Sequence, residues 1–155
     1  MKGPIFARPL IKRKWGSELE KEIEKRIREK KKKEIRGTQE IDAKCLDVFE
    51  YDYPGRQTEI ETGSNEFTSL CPWSGLPDFA HLTIKYVPQR HCIELKSLKF
   101  YLLSYRSVGI AYENVVNRIL DDLVACCKPL RMTIIGDFTT RGGIKTRVQT
   151  SYEKK

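Results

Sequence analysis

Apolar and polar residues alternate along two stretches in the middle of the chain, which is the pattern of a half-buried β-strand. The clearer one is residues 79–87 (FAHLTIKYV), where the alternation continues until Pro88 ends the run. Residues 58–62 (TEIET) form a shorter stretch of the same kind. These two segments predict the first two strands of a sheet.

Two helical patterns and two further strands follow. In residues 94–105 and 113–127 the apolar side chains recur every three or four positions and fall on one helical face, and Pro129 stops the second helix. Residues 132–136 and 144–150 alternate again. The order strand–strand–helix–helix–strand–strand predicts an α+β fold, in which the helical pair between strands 2 and 3 covers one face of a four-stranded antiparallel sheet.

The first 44 residues have a different character. They hold 15 Lys/Arg and 8 Asp/Glu, whereas residues 45–155 hold 14 and 13, so most of the net charge of +8 lies in the N-terminal part. A Ser-x-x-Glu capping box at Ser17 and a stop signal at Gly37 predict a long helix with a thin apolar stripe. We therefore divide the chain into a basic helical arm, residues 1–44, and a folded domain, residues 45–155. The arm suits RNA or another polyanion, and it equally suits a solvated helix packed on a neighbouring subunit.

Composition narrows the class of protein. No apolar run approaches the roughly 20 residues that a membrane span needs, and no signal-peptide segment is visible. The five cysteines are an odd number without a C-x-x-C pair, which indicates reduced thiols and a cytoplasmic protein. A zinc site built from Cys71, Cys92, His81 and His91 is an alternative. Unligated thiols and histidines are favoured, so we predict no metal.

One loop carries candidate catalytic residues. Residues 67–79 (FTSLCPWSGLPDF) hold Cys71 in a Pro/Gly-rich loop just before a predicted strand, and Asp78 lies at the start of that strand. A thiolate and a carboxylic acid suit addition to an electrophilic carbon followed by protonation. A loop cysteine near an aspartate is often coincidental, so the pair alone does not establish catalysis.

A second segment suits phosphate. In residues 94–101 (ELKSLKFY), Lys96 and Lys99 lie on one helical face near a helix N-terminus, with Ser97 beside them. An ordinary solvated helix face has the same spacing. The chain has neither a Rossmann glycine fingerprint nor a P-loop. If a nucleotide binds, residues outside such motifs must hold it.

Together these segments resemble a known family. The Cys71 loop ending in Pro-Asp-Phe, the ELKSLKFY segment and the RGG run at residues 141–143 resemble the NADPH-dependent 7-cyano-7-deazaguanine reductases of queuosine biosynthesis, over roughly residues 48–152. The signature Glu-[Ser/Leu]-Lys-[Ser/Ala]-hydrophobic-Lys-[Leu/Tyr]-aromatic separates these reductases from their GTP cyclohydrolase relatives, and only Phe100 departs from it. The resemblance implies a tunnelling fold, NADPH as cofactor, and a ring-stacked homo-oligomer, expected as a decamer, with active sites between subunits.

The resemblance also implies the role of each site residue. Cys71 would add to the nitrile carbon to give a thioimide, and Asp78 would be the acid/base. Substrate contacts are expected from Glu94, Leu95, Ser97, Tyr112 and Glu113, the last accepting hydrogen bonds from the pyrimidine N–H groups. NADPH contacts are expected from Lys96, Ser97, Lys99, Arg141 and Gly142. Some family members have a histidine where this chain has Tyr112, which we expect to line the pocket without an acid–base role.

Three other functions stay open on the sequence. An amidinotransferase of the same superfamily would act on cyano-deazaguanine in tRNA, but it should lack the intact NADPH signature. A non-catalytic RNA-binding module would depend on the arm and on low salt. A zinc-dependent cyclohydrolase would require metal. The implied reductase needs neither nucleic acid nor membrane.

Overall fold

The computed structural model describes residues 16–155, and the chain divides into two compact units, residues 1–33 and 34–155. The described part of the first unit belongs to helix α1 (Gly16–Glu34). Its apolar stripe of Leu19, Ile23 and Ile27 is exposed. The helix is confirmed, but it ends before Gly37. No helix among the described residues is long and apolar enough to cross a membrane.

The second unit begins at Glu34, so the sequence-based boundary at residue 45 falls inside it. The backbone N–H of Arg36 donates to the carbonyl of Ser107 at 2.7 Å, and its carbonyl accepts from the N–H of Gly109 at 3.0 Å. This pairing explains why the helix cannot continue to Gly37. Ile41 is 6% exposed and belongs to the core.

The second unit contains two sheets and two α-helices. In chain order its elements are β1 (Val48–Glu50), β2 (Ile60–Leu70), β3 (Pro77–Val87), β4 (His91–Ile93), α2 (Leu95–Leu103), α3 (Tyr112–Cys127), β5 (Arg131–Arg141) and β6 (Ile144–Glu153). The main sheet is antiparallel throughout, in the order β2-β3-β5-β6. The predicted four-stranded sheet with a helical pair between its second and third strands is therefore confirmed.

Several boundaries differ from the prediction. Strand β2 runs to Leu70, so residues 67–70, which we placed in a loop, form a strand instead. The pattern hid this because the polar run 62–66 (TGSNE) breaks the alternation, and a register shift lies between Ser64 and Phe67. The short β1–β4 sheet was missed entirely. Helix α2 ends at Leu103 and a 3₁₀ turn follows it.

The core lies between the main sheet and the helices. Helix α3 packs its buried face, including Val116, against β5 and β6. Gly136 in β5 permits a close approach, because a Cβ there would lie 2.9 Å from Cγ2 of Val116 and 3.0 Å from Cε2 of Phe138. The helix ends at Lys128, whose φ of 48° lies in the left-handed region. This packing sets the first turn of α3 over the sheet end that carries Asp78.

Candidate active site

The turn between β2 and β3 holds Cys71 in a fixed position. The N–H of Cys71 donates to the carbonyl of Leu76 at 2.9 Å, and the N–H of Gly75 donates to the carbonyl of Cys71 at 2.8 Å. Gly75 has a φ of 66°, a conformation that favours glycine. The cysteine is therefore presented on a short constrained turn, as predicted, but one that directly joins two strands.

Hydrogen bonds around Cys71 favour its thiolate. Partial burial by itself would raise the pKa of the Cys71 thiol, and the negative charge of Asp78 acts in the same direction. Hydrogen bonds from the Ser74 side chain and from the backbone N–H groups of Ser74 and Trp73 outweigh both, so the pKa is lowered overall. The pKa values of the other four cysteines are all raised, with burial as the largest cause. Cys71 is therefore the best thiolate candidate of the five.

Asp78 is a buried carboxylate with one hydrogen-bond donor and one cation at the same oxygen. It is 2% exposed and lies opposite Ser69 in the β2–β3 pairing. The Tyr112 hydroxyl donates to its Oδ1 at 2.9 Å, and Nη2 of Arg141 lies 2.8 Å from the same atom. Nη2 of Arg141 also donates to the carbonyl of Pro77. A buried carboxylate held in this way is fixed in orientation and paired with a cation.

Tyr112 is held over the sheet by stacking. It is the first residue of α3, and its ring stacks on Phe138 with 4.0 Å between the ring centroids. Burial, followed by the hydrogen bond to Asp78, raises the pKa of the Tyr112 phenol. The phenol therefore stays protonated at neutral pH and acts as a hydrogen-bond donor.

Two residues near the acid were missed from the sequence. Ser69 is fully buried and its hydroxyl has no hydrogen-bond partner in the described structure, while Phe138 supplies the surface on which Tyr112 stacks. The side chains of Ser69 and Asp78 point to the same face because the two residues are directly paired. Continuing β2 to Leu70 would have revealed Ser69, since residues two apart in a strand share a face.

The predicted nucleotide segment forms the first turns of α2. Oε1 of Glu94 accepts from the N–H of Lys96 at 2.8 Å, and Oε2 accepts from the N–H of Ser97 at 2.6 Å. These bonds lower the pKa of Glu94. Glu94 thus caps the helix, and the N–H groups expected to help bind phosphate are already occupied. Lys96, Lys99 and Leu95 are exposed.

Ser97 serves the fold of this chain. Its Oγ donates to the carbonyl of Glu94 at 2.7 Å and accepts from the N–H of Asp47 at 3.0 Å, which ties the residue before β1 to α2. Glu113 lies exposed in the first turn of α3, next to Tyr112. Gly142 lies in the β5–β6 turn with a φ of 55°.

Two separate groups of predicted site residues result. After α2, Tyr105 packs on Phe67 with 5.3 Å between ring centroids, and the carbonyl of Val108 accepts from the N–H of Leu70 at 2.9 Å. The chain therefore advances from Ser97 towards the Cys71 end of β2. The first turn of α2 and Cys71 are therefore held by different parts of the chain.

An open groove of about 260 Å³ lies between α2 and β2, lined in part by Phe67, Leu98 and Lys99. Neither Cys71 nor Asp78 lines it. Among residues 16–155, no cluster of three or more His, Cys, Asp or Glu side chains is placed to hold a metal ion. The groove and the thiol–acid cluster are thus distinct features of one chain.

A family model described as QueF-like protein matches residues 77–155. The NADPH-dependent 7-cyano-7-deazaguanine reductase of Thermoanaerobacter pseudethanolicus is 55% identical over 119 residues, which cover 77% of this chain and 90% of that protein. The chain belongs to the 7-cyano-7-deazaguanine reductase family. The reductase of Chlorobaculum tepidum is 52% identical over 114 residues, covering 74% of this chain and 97% of that protein.

The fold of this reductase family member also has a solved counterpart. The crystal structure titled archaeosine synthase QueF-Like in the apo form superposes with a TM-score of 0.54 at 20% identity, covering 61% of this chain and 90% of that one. This likeness confirms the tunnelling fold and carries nothing on activity. The family model begins at Pro77, so Cys71 lies outside it. The match to the Thermoanaerobacter pseudethanolicus reductase spans 119 of the 155 residues, and any span of that length in this chain includes position 71.

Proposed function

We propose that this chain reduces the nitrile of 7-cyano-7-deazaguanine to the aminomethyl group with two NADPH, as a step of queuosine biosynthesis for tRNA modification. The observation that carries the proposal is the pair formed by Cys71 and Asp78. Cys71 is a thiol of lowered pKa on the β2–β3 turn, and the buried acid Asp78 is the second residue of β3, the strand that follows the turn. Reductases more than 50% identical to this chain give the reaction its identity.

Cys71 and Asp78 divide the first chemical step between them. The Cys71 sulfur forms a bond to the nitrile carbon, one π bond of the C≡N group breaks, and the nitrogen takes a proton through Asp78. The product is a thioimide, with the sulfur and hydrogen of the thiol added across the nitrile. When the carbon–sulfur bond later breaks, the thiolate returns and Asp78 again supplies or removes the proton on nitrogen.

NADPH supplies the two hydrides, and Lys96, Ser97, Lys99, Arg141 and Gly142 remain its proposed contacts. The exposed ammonium groups of Lys96 and Lys99 fit a phosphate-bearing cofactor. Because Glu94 already occupies the N-terminal N–H groups of α2, these side chains have to bind the phosphate without the helix backbone. Nη2 of Arg141 is engaged by Asp78 and Pro77, which leaves its other donors for the cofactor.

Substrate recognition is proposed for Glu113, Tyr112 and the α2 residues Glu94, Leu95 and Ser97. An exposed carboxylate at Glu113, next to Tyr112, suits the pyrimidine N–H groups of the substrate. Ser97 and Glu94 are committed to backbone contacts in the single chain. For Ser97 and Glu94 to contact the substrate, the substrate has to form additional hydrogen bonds to their side-chain oxygens or replace the existing bonds to the backbone.

The active site is proposed to form between subunits of a ring-stacked homo-oligomer, in the expected form a decamer. Support comes from the separation of the two groups of site residues in a single chain, because Leu95 and Lys99 line a groove that includes neither Cys71 nor Asp78. Within the described residues, β2 and β6 are edge strands of the main sheet, and such edges suit pairing with another copy. A neighbouring α2 would then face each Cys71.

Subunit mixing tests the shared site. Cys71→Ala and the double variant Lys96→Ala/Lys99→Ala should each be inactive alone. In mixed oligomers made by co-expression, random assembly pairs an intact thiol with an intact lysine pair in roughly a quarter of the sites. Activity of about that fraction in the mixture supports a shared site, and an inactive mixture contradicts it.

The proposal also covers the domain, its compartment and the N-terminal arm. The reductase domain is proposed to comprise residues 45–155, and residues 34–44 pack with it. The proposed reaction needs no nucleic acid. Five free cysteines in the described residues and the use of NADPH suit a cytoplasmic enzyme. The N-terminal arm takes no part in the proposed chemistry.

NADPH oxidation on addition of 7-cyano-7-deazaguanine tests the function. Wild type should oxidise two NADPH per nitrile, and Cys71→Ala should oxidise none. Cys126→Ala is the matched control, because it removes a half-buried thiol from α3 that the mechanism does not use. A folded wild type that oxidises no NADPH would reject the proposal, and addition of ammonia to cyano-deazaguanine in tRNA would then identify an amidinotransferase.

A further inference from the structure

The carboxylate of Asp78 is engaged unequally at its two oxygens. Oδ1 receives the Tyr112 hydroxyl at 2.9 Å and lies 2.8 Å from Nη2 of Arg141. No hydrogen bond reaches Oδ2 from the described residues, and Oδ2 is not among the fully enclosed atoms that lack a partner. One oxygen is thus occupied, and the other is open to whatever binds at the site.

A hydrogen-bond donor and a cation at one carboxyl oxygen decide where a proton can sit. The Tyr112 hydroxyl uses one lone pair of Oδ1, and the Arg141 guanidinium, with Nη2 2.8 Å away, disfavours a proton on that same oxygen. A proton taken up by Asp78 must therefore lie on Oδ2. The raised pKa of the Tyr112 phenol, caused first by burial, keeps that hydroxyl protonated and donating.

We infer that Tyr112 and Arg141 are positioning residues that occupy Oδ1 of Asp78 and so make Oδ2 the oxygen that carries protons to and from the substrate nitrogen. This inference rests on the proposed function. It gives Tyr112 a task that the resemblance does not supply, and it places Arg141 on the acid in addition to its proposed cofactor role.

The thioimide step balances through Oδ2. The Cys71 thiol proton passes to Oδ2, sulfur bonds to the nitrile carbon, and the same proton moves from Oδ2 to the nitrogen. No external proton or oxidant is consumed. Each time Oδ2 releases the proton, negative charge returns to a carboxylate that faces the Arg141 guanidinium and the Tyr112 hydroxyl. Fixed donors aimed at developing charge are a large source of catalysis.

Thioimide formation without NADPH tests the inference apart from cofactor binding. Wild type, Tyr112→Phe, Tyr112→His and Arg141→Met are mixed with 7-cyano-7-deazaguanine, quenched at intervals and weighed as intact protein. Tyr112→Phe keeps the ring that stacks on Phe138 but loses the donor, so the rate at saturating substrate should fall about tenfold. Arg141→Met should fall about 10- to 100-fold, since the cation beside the carboxylate is lost.

Two comparisons separate positioning from a merely structural role. Tyr112→His should recover most of the rate, because a neutral imidazole N–H also donates to Oδ1. Substrate affinity measured by equilibrium binding should be nearly unchanged in Tyr112→Phe, because the lost hydroxyl is bonded to Asp78 and the ring proposed to line the substrate pocket is kept. Tyr53→Phe is the matched control, since it removes an exposed hydroxyl outside the residues assigned to the site and should react like wild type.

The outcomes are distinct. A Tyr112→Phe variant that forms the thioimide at the wild-type rate would overturn the inference while leaving the proposed function intact. Weakened binding with an unchanged saturated rate would also overturn it, because Tyr112 would then be a substrate contact only. No adduct in wild type would reject the proposed function and, with it, the inference.

Discussion

A single added methyl group at Gly136 should disturb both the core and the active site. The Cβ of an alanine there would lie 2.9 Å from Cγ2 of Val116 and 3.0 Å from Cε2 of Phe138, which is closer than such atoms normally approach. Val116 is fully buried in α3, and Phe138 carries the stacked Tyr112. Helix α3, Phe138 or both have to move to accept the methyl group.

The magnitude follows from two opposing contributions. Replacing a strand glycine with alanine stabilises by roughly 0.5–1 kcal/mol through the lost freedom of the unfolded chain. Overpacking a dense core costs about 1–3 kcal/mol. The net expectation for Gly136→Ala is a loss of about 0–2.5 kcal/mol, with a central value of about 1 kcal/mol. Urea denaturation at fixed protein concentration measures it, as a lower midpoint with an unchanged slope.

A double-mutant cycle supplies the control. Val116→Ala alone removes buried methyl groups and should cost about 2 kcal/mol. In the combined variant the new methyl group occupies part of the space that Val116 vacates, so the total cost should be about 1 kcal/mol less than the sum. Strict additivity, or a Gly136→Ala variant more stable than wild type, would refute the reasoning from these contacts.

Three further changes test the site. Because hydrogen bonds lower the pKa of Cys71, its alkylation by iodoacetamide should reach half its maximal rate at a lower pH than an ordinary thiol, and Ser74→Ala should move that pH upwards; an unchanged profile would contradict the role of Ser74. Asp78→Asn should lower the saturated rate of thioimide formation by about 10²-fold or more while Cys71 stays reactive to iodoacetamide; a wild-type rate would remove Asp78 from the mechanism. The folded-state pKa of Glu94 is lowered, so the ionised Glu94 side chain stabilises the protein at neutral pH, and this contribution is lost as the pH falls through that pKa. The urea midpoints of wild type and Glu94→Gln should therefore converge in acid. A constant difference between the two midpoints would argue against the cap.

The order of elements was predictable because most of them have clean periodicity. Residues 80–86 alternate between buried and more exposed positions and lie in an inner strand of the sheet, where the buried face of β3 meets the core. Strand β2 was underestimated for a physical reason. It is an edge strand whose polar run needs no buried face, so hydrophobic alternation cannot reveal it. The short β1–β4 ladder holds too few residues to show any period.

The candidate catalytic residues could be named from the sequence, but the contacts between them could not. Cys71 and Asp78 could be named from their loop, and the structure places them at the same end of the β2–β3 pair. Sequence spacing could not show that Arg141, from the far end of β5, reaches Asp78. It also could not show that Glu94 closes its own helix, since capping depends on side-chain geometry.

The presence of tyrosine at position 112 is informative about what the site requires there. A histidine at this position could serve as a proton carrier, as a positive charge or simply as a hydrogen-bond donor. Tyr112, whose phenol is buried against Asp78 and has a raised pKa, retains only the last of these abilities at neutral pH. In the proposed reaction, a hydrogen-bond donor to Oδ1 is therefore sufficient at this position. The proton itself must then travel through Asp78 and Cys71, which are the two groups left to carry it.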